Sequence, residues 1–371
     1  MIAIDTVLVK LASRCNLDCD YCYVYHMGDD AWRLQPKLIS DATIDALGCN
    51  LAKLIEVQGR PLSIVFHGGE PLLVGPSRFE TICSTLRRYL PQPVGLHVQT
   101  NGLLLTDTII DICARHDIGI SISIDGPAET HDRHRSDLRG RKSHARVLAS
   151  IERVLAHPQG SLLLSGLLSV VDLTSDPREV YAFFKTTGTP SVDFLYRDGN
   201  HDDLPIGKAH PLSVEYGAWM SRLLDVYLTD PEPIRIRVLD DMLRLLLGGR
   251  SVKEGVGGNA YGILVVETDG SITKNDTLKS ADGADKFTEV WTVEDDLSTL
   301  ITSTVFLDYH RAQRPSAEVC RSCSELHVCG GGMPTHRWSA ERGLDNPTIF
   351  CADQKYLISN MREMIALSRV A

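Results

Sequence analysis

Short apolar, β-branched runs alternate with longer stretches of helical spacing through the first two hundred residues, the rhythm of parallel βα units. The runs predict strands at Thr6–Leu11, Leu62–His67, Gly95–Thr100, Gly119–Ile124, Leu162–Val171 and Val192–Tyr196. Between the first two, Ile44, Leu47, Leu51, Leu54 and Ile55 recur at helical intervals, and Ser40 and Asp41 are suited to cap that helix. Further helices are predicted at Ser77–Leu90, Thr106–His116, Ser143–Ala156 and Pro177–Thr186. Beyond the last strand, Tyr216, Trp219, Leu223 and Tyr227 share one helical face and Leu239, Met242, Leu243 and Leu246 another. Asp269-Gly270, between Leu264–Thr268 and Ser271–Lys274, reads as a hairpin turn.

Six βα repeats predict an α/β fold of the partial (β/α)6 barrel type, with functional groups at the carboxyl ends of the strands. The segments expected are a barrel over 1–210, bridging helices over 211–255 and a separate small module over 256–371. The first strand opens almost at Met1, so no further domain is expected ahead of it.

A chain of 371 residues with 43% hydrophobic content can bury a large core. No apolar stretch is long enough to span a bilayer and the N-terminus lacks a signal peptide, so a cytoplasmic location without a membrane partner is expected. The formal charge of -10 argues against a protein that tracks a nucleic-acid backbone. Arg133, Arg139, Arg141 and Lys142 form a local basic run, read as a solvated loop, with Arg135 set apart below.

The ten cysteines carry the chemistry. Cys49, Cys83 and Cys113 stand alone and read as packed core thiols, whereas the other seven cluster, which in a long chain without a secretion signal indicates metal binding. Cys15, Cys19 and Cys22 form a CxxxCxxC run, three thiolates from one loop. An iron-sulfur cluster normally takes four, so three leave one iron of a 4Fe-4S cluster open to another ligand. A zinc site completed by His26 is the competing reading. Cys320, Cys323, Cys329 and Cys351 make a complete four-thiolate set, which suits a second cluster or a zinc knuckle.

The CxxxCxxC run with Tyr21 before its third cysteine, and Gly68-Gly69-Glu70-Pro71 after the second strand, resemble the radical S-adenosylmethionine (SAM) superfamily. The resemblance implies that the open iron chelates SAM, which is cleaved reductively to a hydrogen-abstracting radical. It implies that Gly68, Gly69 and Glu70 hold the SAM amino group, with the glycines allowing close backbone approach. Gln99 and Asn101 would lie near the ribose, with Ser123 and Asp125 ending the fourth strand beside them. Arg135 would grip the SAM carboxylate and Leu168 would face the adenine.

The C-terminal cysteines, with Gly330-Gly331-Gly332, look like the SPASM module of peptide-modifying radical SAM enzymes. Such a module carries two auxiliary clusters, but Met333 and Asn275 stand where cysteines of the first are expected, and all its ligands are missing. Two 4Fe-4S clusters in total are implied, one binding SAM and one auxiliary. Asp276 falls where related sulfatase-maturing enzymes place a general base, and His327, His336 and Arg337 are candidate donors around the second cluster.

The segment Val265–Ile272, with Asp276–Lys279, Cys329–Gly332, His336-Arg337 and Asn346-Pro347, most resembles the FxsB-like group of peptide maturases. That implies hydrogen abstraction from a side-chain β-carbon and carbon-carbon crosslinking to an aromatic ring, forming a cyclophane in a ribosomally made precursor peptide. A thioether-forming maturase and a formylglycine-generating sulfatase maturase are the alternatives, and a non-catalytic iron-sulfur or zinc protein is the alternative of another class. The expected partners are the precursor peptide and an external electron donor. No dedicated leader-binding domain is visible, so recognition falls to the barrel, the bridging helices or a separate leader-binding protein.

Overall fold

The computed structural model describes residues 2–90 and 92–368. Contacts gather into two compact units, each discontinuous in sequence: Met1–Ile124, His131–Gly166 and Tyr261–His310 form one, and Asp125–Thr130, Leu167–Ala260 and Arg311–Ala371 the other. This is a different cut from the three consecutive segments expected above, because strand pairing joins residues far apart in the chain.

In the first unit, β1 (Thr6–Ala12), β3 (Ser63–Gly68), β4 (Gly95–Thr100) and β5 (Ile118–Ser123) pair in parallel in that order. Alternate residues, Val7 and Val9, Ile64 and Phe66, Leu96 and Val98, Ile120 and Ile122, are buried. One face of each strand thus meets the covering helices. The helix Asp41–Gln58 begins where the sequence predicts, with the Ser40 side chain accepting from Thr43 N, and ends at Gly59 in the left-handed conformation. The predicted hairpin forms from β10 (Ile263–Val266) and β11 (Ser271–Thr273). It is not detached from the barrel strands, because β10 pairs in parallel with β1, Thr6 opposite Ile263.

Two elements escape the periodicity analysis. β2 (Leu17–Cys19) and β6 (Arg135–Asp137) form a short antiparallel ribbon with Cys19 opposite Arg135. In addition, Gly160–Leu163 is a helical turn, so the fifth predicted strand starts late, as β7 (Leu164–Val170).

In the second unit, residues of β7 pair in parallel with β8 (Ser191–Leu195), which pairs with β9 (Arg235–Ile236). The helix Glu215–Thr229 buries Tyr216, Trp219 and Leu223 as predicted. It packs on the helix Cys351–Ser368 at Gly217, where a Cβ would strike the Asp353 backbone. Asp353 accepts from Gly217 N at 2.8 Å and from the buried Lys208 ammonium at 2.6 Å. Tyr196, Tyr216, His336 and Phe350 stack edge to face around this junction. No described helix is long and apolar enough to cross a membrane.

Candidate active site

Cys15, Cys19 and Cys22 lie on the loop that leaves β1 and passes through β2. The loop is fixed from several sides. Cys15 Sγ accepts from Leu17 N at 3.4 Å, and Asn101 donates through Nδ2 to Asn16 Oδ1 at 2.7 Å. Tyr25 donates to Ser13 O at 3.1 Å and packs edge-on against Trp32, over which the Arg14 guanidinium lies. Burial pushes the Cys15 thiol up to about 12, with the Glu70 carboxylate and the two other loop thiols adding to it. Burial likewise pushes Cys22 up to about 11. Two desolvated thiols with Cys19 close enough to act on both are a donor set that a cationic iron centre suits, since such a centre holds thiolates without protons.

The two glycines expected to admit SAM serve another contact. A Cβ on Gly68 would strike Ala12 O, and one on Gly69 would strike Tyr25 Oη and Arg14 O. Their bareness lets the end of β3 press on the backbone that leads into the cysteine loop. Glu70 is 0% exposed. Its carboxylate accepts from Leu72 N (3.1 Å), Thr100 Oγ1 (2.7 Å) and Asn101 N (2.8 Å), so it ties the end of β3 to the end of β4. Burial raises its pKa above the ordinary carboxyl value, and these three bonds oppose the rise. Asn101 spends its side chain on the cysteine loop and on Leu103 N rather than projecting freely as a ribose donor. Gln99 and Ser123 come together on adjacent strands, Nε2 to Oγ at 2.9 Å. Arg135, buried and held in register with Cys19 by the ribbon, donates to Tyr21 Oη at 2.8 Å.

Asp125 and Leu168 belong to the second unit. Asp125 is 2% exposed and accepts from Val170 N at 3.1 Å, and Leu168 is partly exposed beside it on β7.

Asp276 lies in the first unit at the centre of a buried ionic network the sequence reading missed. Lys10 Nζ is 2.5 Å from Asp276 Oδ1 and 3.1 Å from Glu267 Oε1. Lys279 Nζ is 3.1 Å from the same Glu267 oxygen and 3.5 Å from both Asp29 and Asp285. Tyr23 donates to Asp276 Oδ2 at 2.7 Å. Burial pushes the Asp276 carboxyl up, but the Lys10 and Lys279 ammoniums outweigh it and hold the group ionised, below the usual carboxylate range. His67, the other titratable neighbour, is held neutral by burial. One signal was legible: Lys10 interrupts the apolar run Val-Leu-Val-Lys-Leu of β1.

The second cysteine set lies wholly in the second unit. Cys320, Cys323, Cys329 and Cys351 line one small cavity of about 20 Å³, together with Leu326, Thr348 and Lys355. The glycines after Cys329 all have positive φ, 67°, 88° and 70°, and a Cβ on any of them would meet Gly257, Pro315 or Thr348. Burial pushes Cys329 up to about 12 and raises Cys320 and Cys351 as well, each thiol feeling the others. Among the described residues no three metal-ligating side chains already converge on one point. The fit is that of four soft thiol donors brought around one small cavity, which suits a metal centre. Of the three candidate outer donors, His336 faces Asp198 at 3.3 Å and His327 turns to Ser324 O, while Arg337 is buried near the thiols. Asn275 caps the turn that follows it, accepting from Thr277 N, and its own N donates to Tyr309 Oη.

The Radical SAM superfamily model matches residues 9–171. A cysteine-type anaerobic sulfatase-maturating enzyme of Clostridium novyi (strain NT) is 23% identical over 94% of this chain and 93% of its own length. An uncharacterized protein of Methanothermobacter thermautotrophicus is 30% identical over 63% of this chain and 83% of its own. Solved anSMEcpe with bound AdoMet superposes with a TM-score of 0.82 at 22% identity, covering 98% of this chain and 99% of that one. Its form with AdoMet and Cp18Cys peptide gives 0.81 at 21%, covering 99% of each. Residues 9–171 are thus similar to the radical SAM superfamily, and the chain has the radical SAM α/β fold and is an enzyme. Within the superfamily, the likeness runs to the sulfatase-maturating kind along nearly the full length. The FxsB-like resemblance has no counterpart among these matches.

Proposed function

We propose that the chain oxidises the β-carbon of a cysteine or serine side chain in a peptide or protein substrate, as a sulfatase maturase does. The observation that carries this reading is the full-length likeness to a cysteine-type anaerobic sulfatase-maturating enzyme, together with an ionised, buried carboxylate at Asp276. The formylglycine alternative thus replaces cyclophane formation as the leading reading. The neighbouring peptide-bound structure supports an extended peptide as substrate.

When bound, SAM and the cluster held by Cys15, Cys19 and Cys22 supply the hydrogen-abstracting radical. The chain's own residues do the rest. Glu70, Gln99, Asn101, Ser123 and Arg135 would hold SAM in the first unit. A substrate that has lost a hydrogen atom must still lose one proton and one electron to reach a closed shell. Asp276 takes the proton, for which Lys10, Lys279 and Tyr23 keep it charged and oriented. Cys320, Cys323, Cys329 and Cys351 would hold a centre able to accept the electron, and an external donor would supply the electron that SAM cleavage consumes.

One observation favours a second reading. Asn275 and Met333 occupy positions where the first auxiliary cluster would need cysteines, so the electron path differs from that of a complete module. Crosslinking of a β-carbon to an aromatic ring, or to sulfur, needs the same β-hydrogen abstraction. Anaerobic incubation with SAM, dithionite and peptides bearing a sulfatase-type cysteine or serine separates these readings by mass and by aldehyde labelling. An aldehyde product supports maturation, and loss of two hydrogens without an aldehyde supports crosslinking. Intact peptides of both kinds alongside active SAM cleavage would reject maturation.

A further inference from the structure

Arg337 is a buried cation without a carboxylate. It is 1% exposed. Its Nη2 donates to Ala312 O at 2.6 Å and Gln313 O at 3.0 Å, while its Nε finds no acceptor. Among the described residues, the negative groups acting on it are Cys320 and Cys329. Burial lowers its pKa to about 10, which leaves it charged at neutral pH. A desolvated guanidinium with no anion is unfavourable, and arginine does not escape by losing its proton.

The surroundings offer no other balancing charge. Glu325 at the cavity wall pairs with Arg362 at 2.9 Å. Asp198 faces His336, whose ring packs against Phe350. Asp353 is taken by Lys208. The cation that lines the cavity, Lys355, is exposed to water, which screens it.

We propose that Arg337 is the built-in counter-charge of the centre held by Cys320, Cys323, Cys329 and Cys351, and that it sets the centre's reduction potential. This rests on reading the four cysteines as ligands of a 4Fe-4S cluster, four thiolates around which carry net negative charge. Each added electron deepens that charge. A fixed cation in a low-dielectric site stabilises the reduced form more than the oxidised one and raises the potential. Arg337 is thereby a tuning residue that makes the centre a better electron acceptor.

The test uses the full chain with Cys15, Cys19 and Cys22 changed to Ala, leaving one centre to observe. After anaerobic reconstitution, iron and acid-labile sulfide are counted and the midpoint potential is read by EPR-monitored titration. Arg337→Gln should lower the midpoint by at least the equivalent of tenfold in the reduction equilibrium, about 59 mV for one electron. Arg337→Lys, which keeps the charge but loses the planar fork, should lower it less and serves where the Gln variant does not fold. Lys355→Gln should shift it least. Equal midpoints for Arg337 and both its variants overturn the proposal while leaving the cluster in place. Zinc uptake without sulfide overturns the cluster reading itself, and the proposal with it.

Discussion

The two cysteine sites of this chain solve opposite problems. The N-terminal loop brings three thiols and clamps them by backbone: the β2–β6 ribbon sets Cys19 opposite Arg135, and Gly68 and Gly69 press against Ala12 and Arg14. The C-terminal set brings four thiols around a cavity, with a turn of three left-handed glycines and a buried arginine beside them. One site lacks a ligand, and polar residues accompany it at the ends of β3, β4 and β5. The other is saturated by its own chain and has packing and charge around it. On the proposed reading, the missing donor marks where small-molecule chemistry starts and the complete set where electrons are stored or passed.

The largest expected effect breaks that contrast directly. Cys22→Ala should drop 5'-deoxyadenosine formation to the no-enzyme level, whereas Cys329→Ala should leave SAM cleavage measurable and stop product formation. Equal loss of cleavage in both variants would erase the division of labour. Asp276→Asn should cost about 10²–10⁴-fold in peptide product while 5'-deoxyadenosine still accumulates, as expected for loss of a base after hydrogen abstraction. If product yield is unchanged, the ionic network is structural only.

Lys10→Met sharpens the comparison on the stability side. It leaves Asp276 and Glu267 buried with one fewer cation, and should destabilise the apoprotein by about 3–5 kcal/mol in a denaturant titration. An unchanged midpoint would mean that water replaces the ammonium.

The smallest effect is a pH dependence of the first unit. Burial, aided by Arg135 and two neighbouring histidines, pushes His131 down to about 2, with its Nε2 2.8 Å from Ser143 Oγ. The folded form therefore binds fewer protons than the unfolded form, and this stability is present above an unfolded value of about 6.5 and fades as pH falls below it. His131→Gln should flatten stability against pH below that point, as read from denaturation midpoints. A parallel curve would exclude the contribution.

Most strands and helices were legible within a residue or two, because alternation and helical spacing are local. Leu62–His67 became Ser63–Gly68, and Thr106–His116 became Asp107–Arg115 with Thr106 as its cap. Illegible features were long-range. A three-residue ribbon has no period to detect, and the pairing of Thr6 with Ile263 is a tertiary choice. The candidate site residues were legible as strand-end polar groups and clustered cysteines, yet their contacts were not. The glycines meet protein backbone, Glu70 bridges two strand ends, and Asn101 braces the cysteine loop. The Lys10–Glu267–Lys279 network assembles side chains from distant segments, with only the odd lysine in an apolar strand as a clue.

The most direct measurement is the yield of 5'-deoxyadenosine from SAM after anaerobic iron-sulfide reconstitution and dithionite reduction. Formation of 5'-deoxyadenosine by the intact chain, absent in Cys22→Ala, is the predicted result. A fully iron-loaded, reduced protein that leaves SAM intact would contradict the three-cysteine loop as the place where the radical begins.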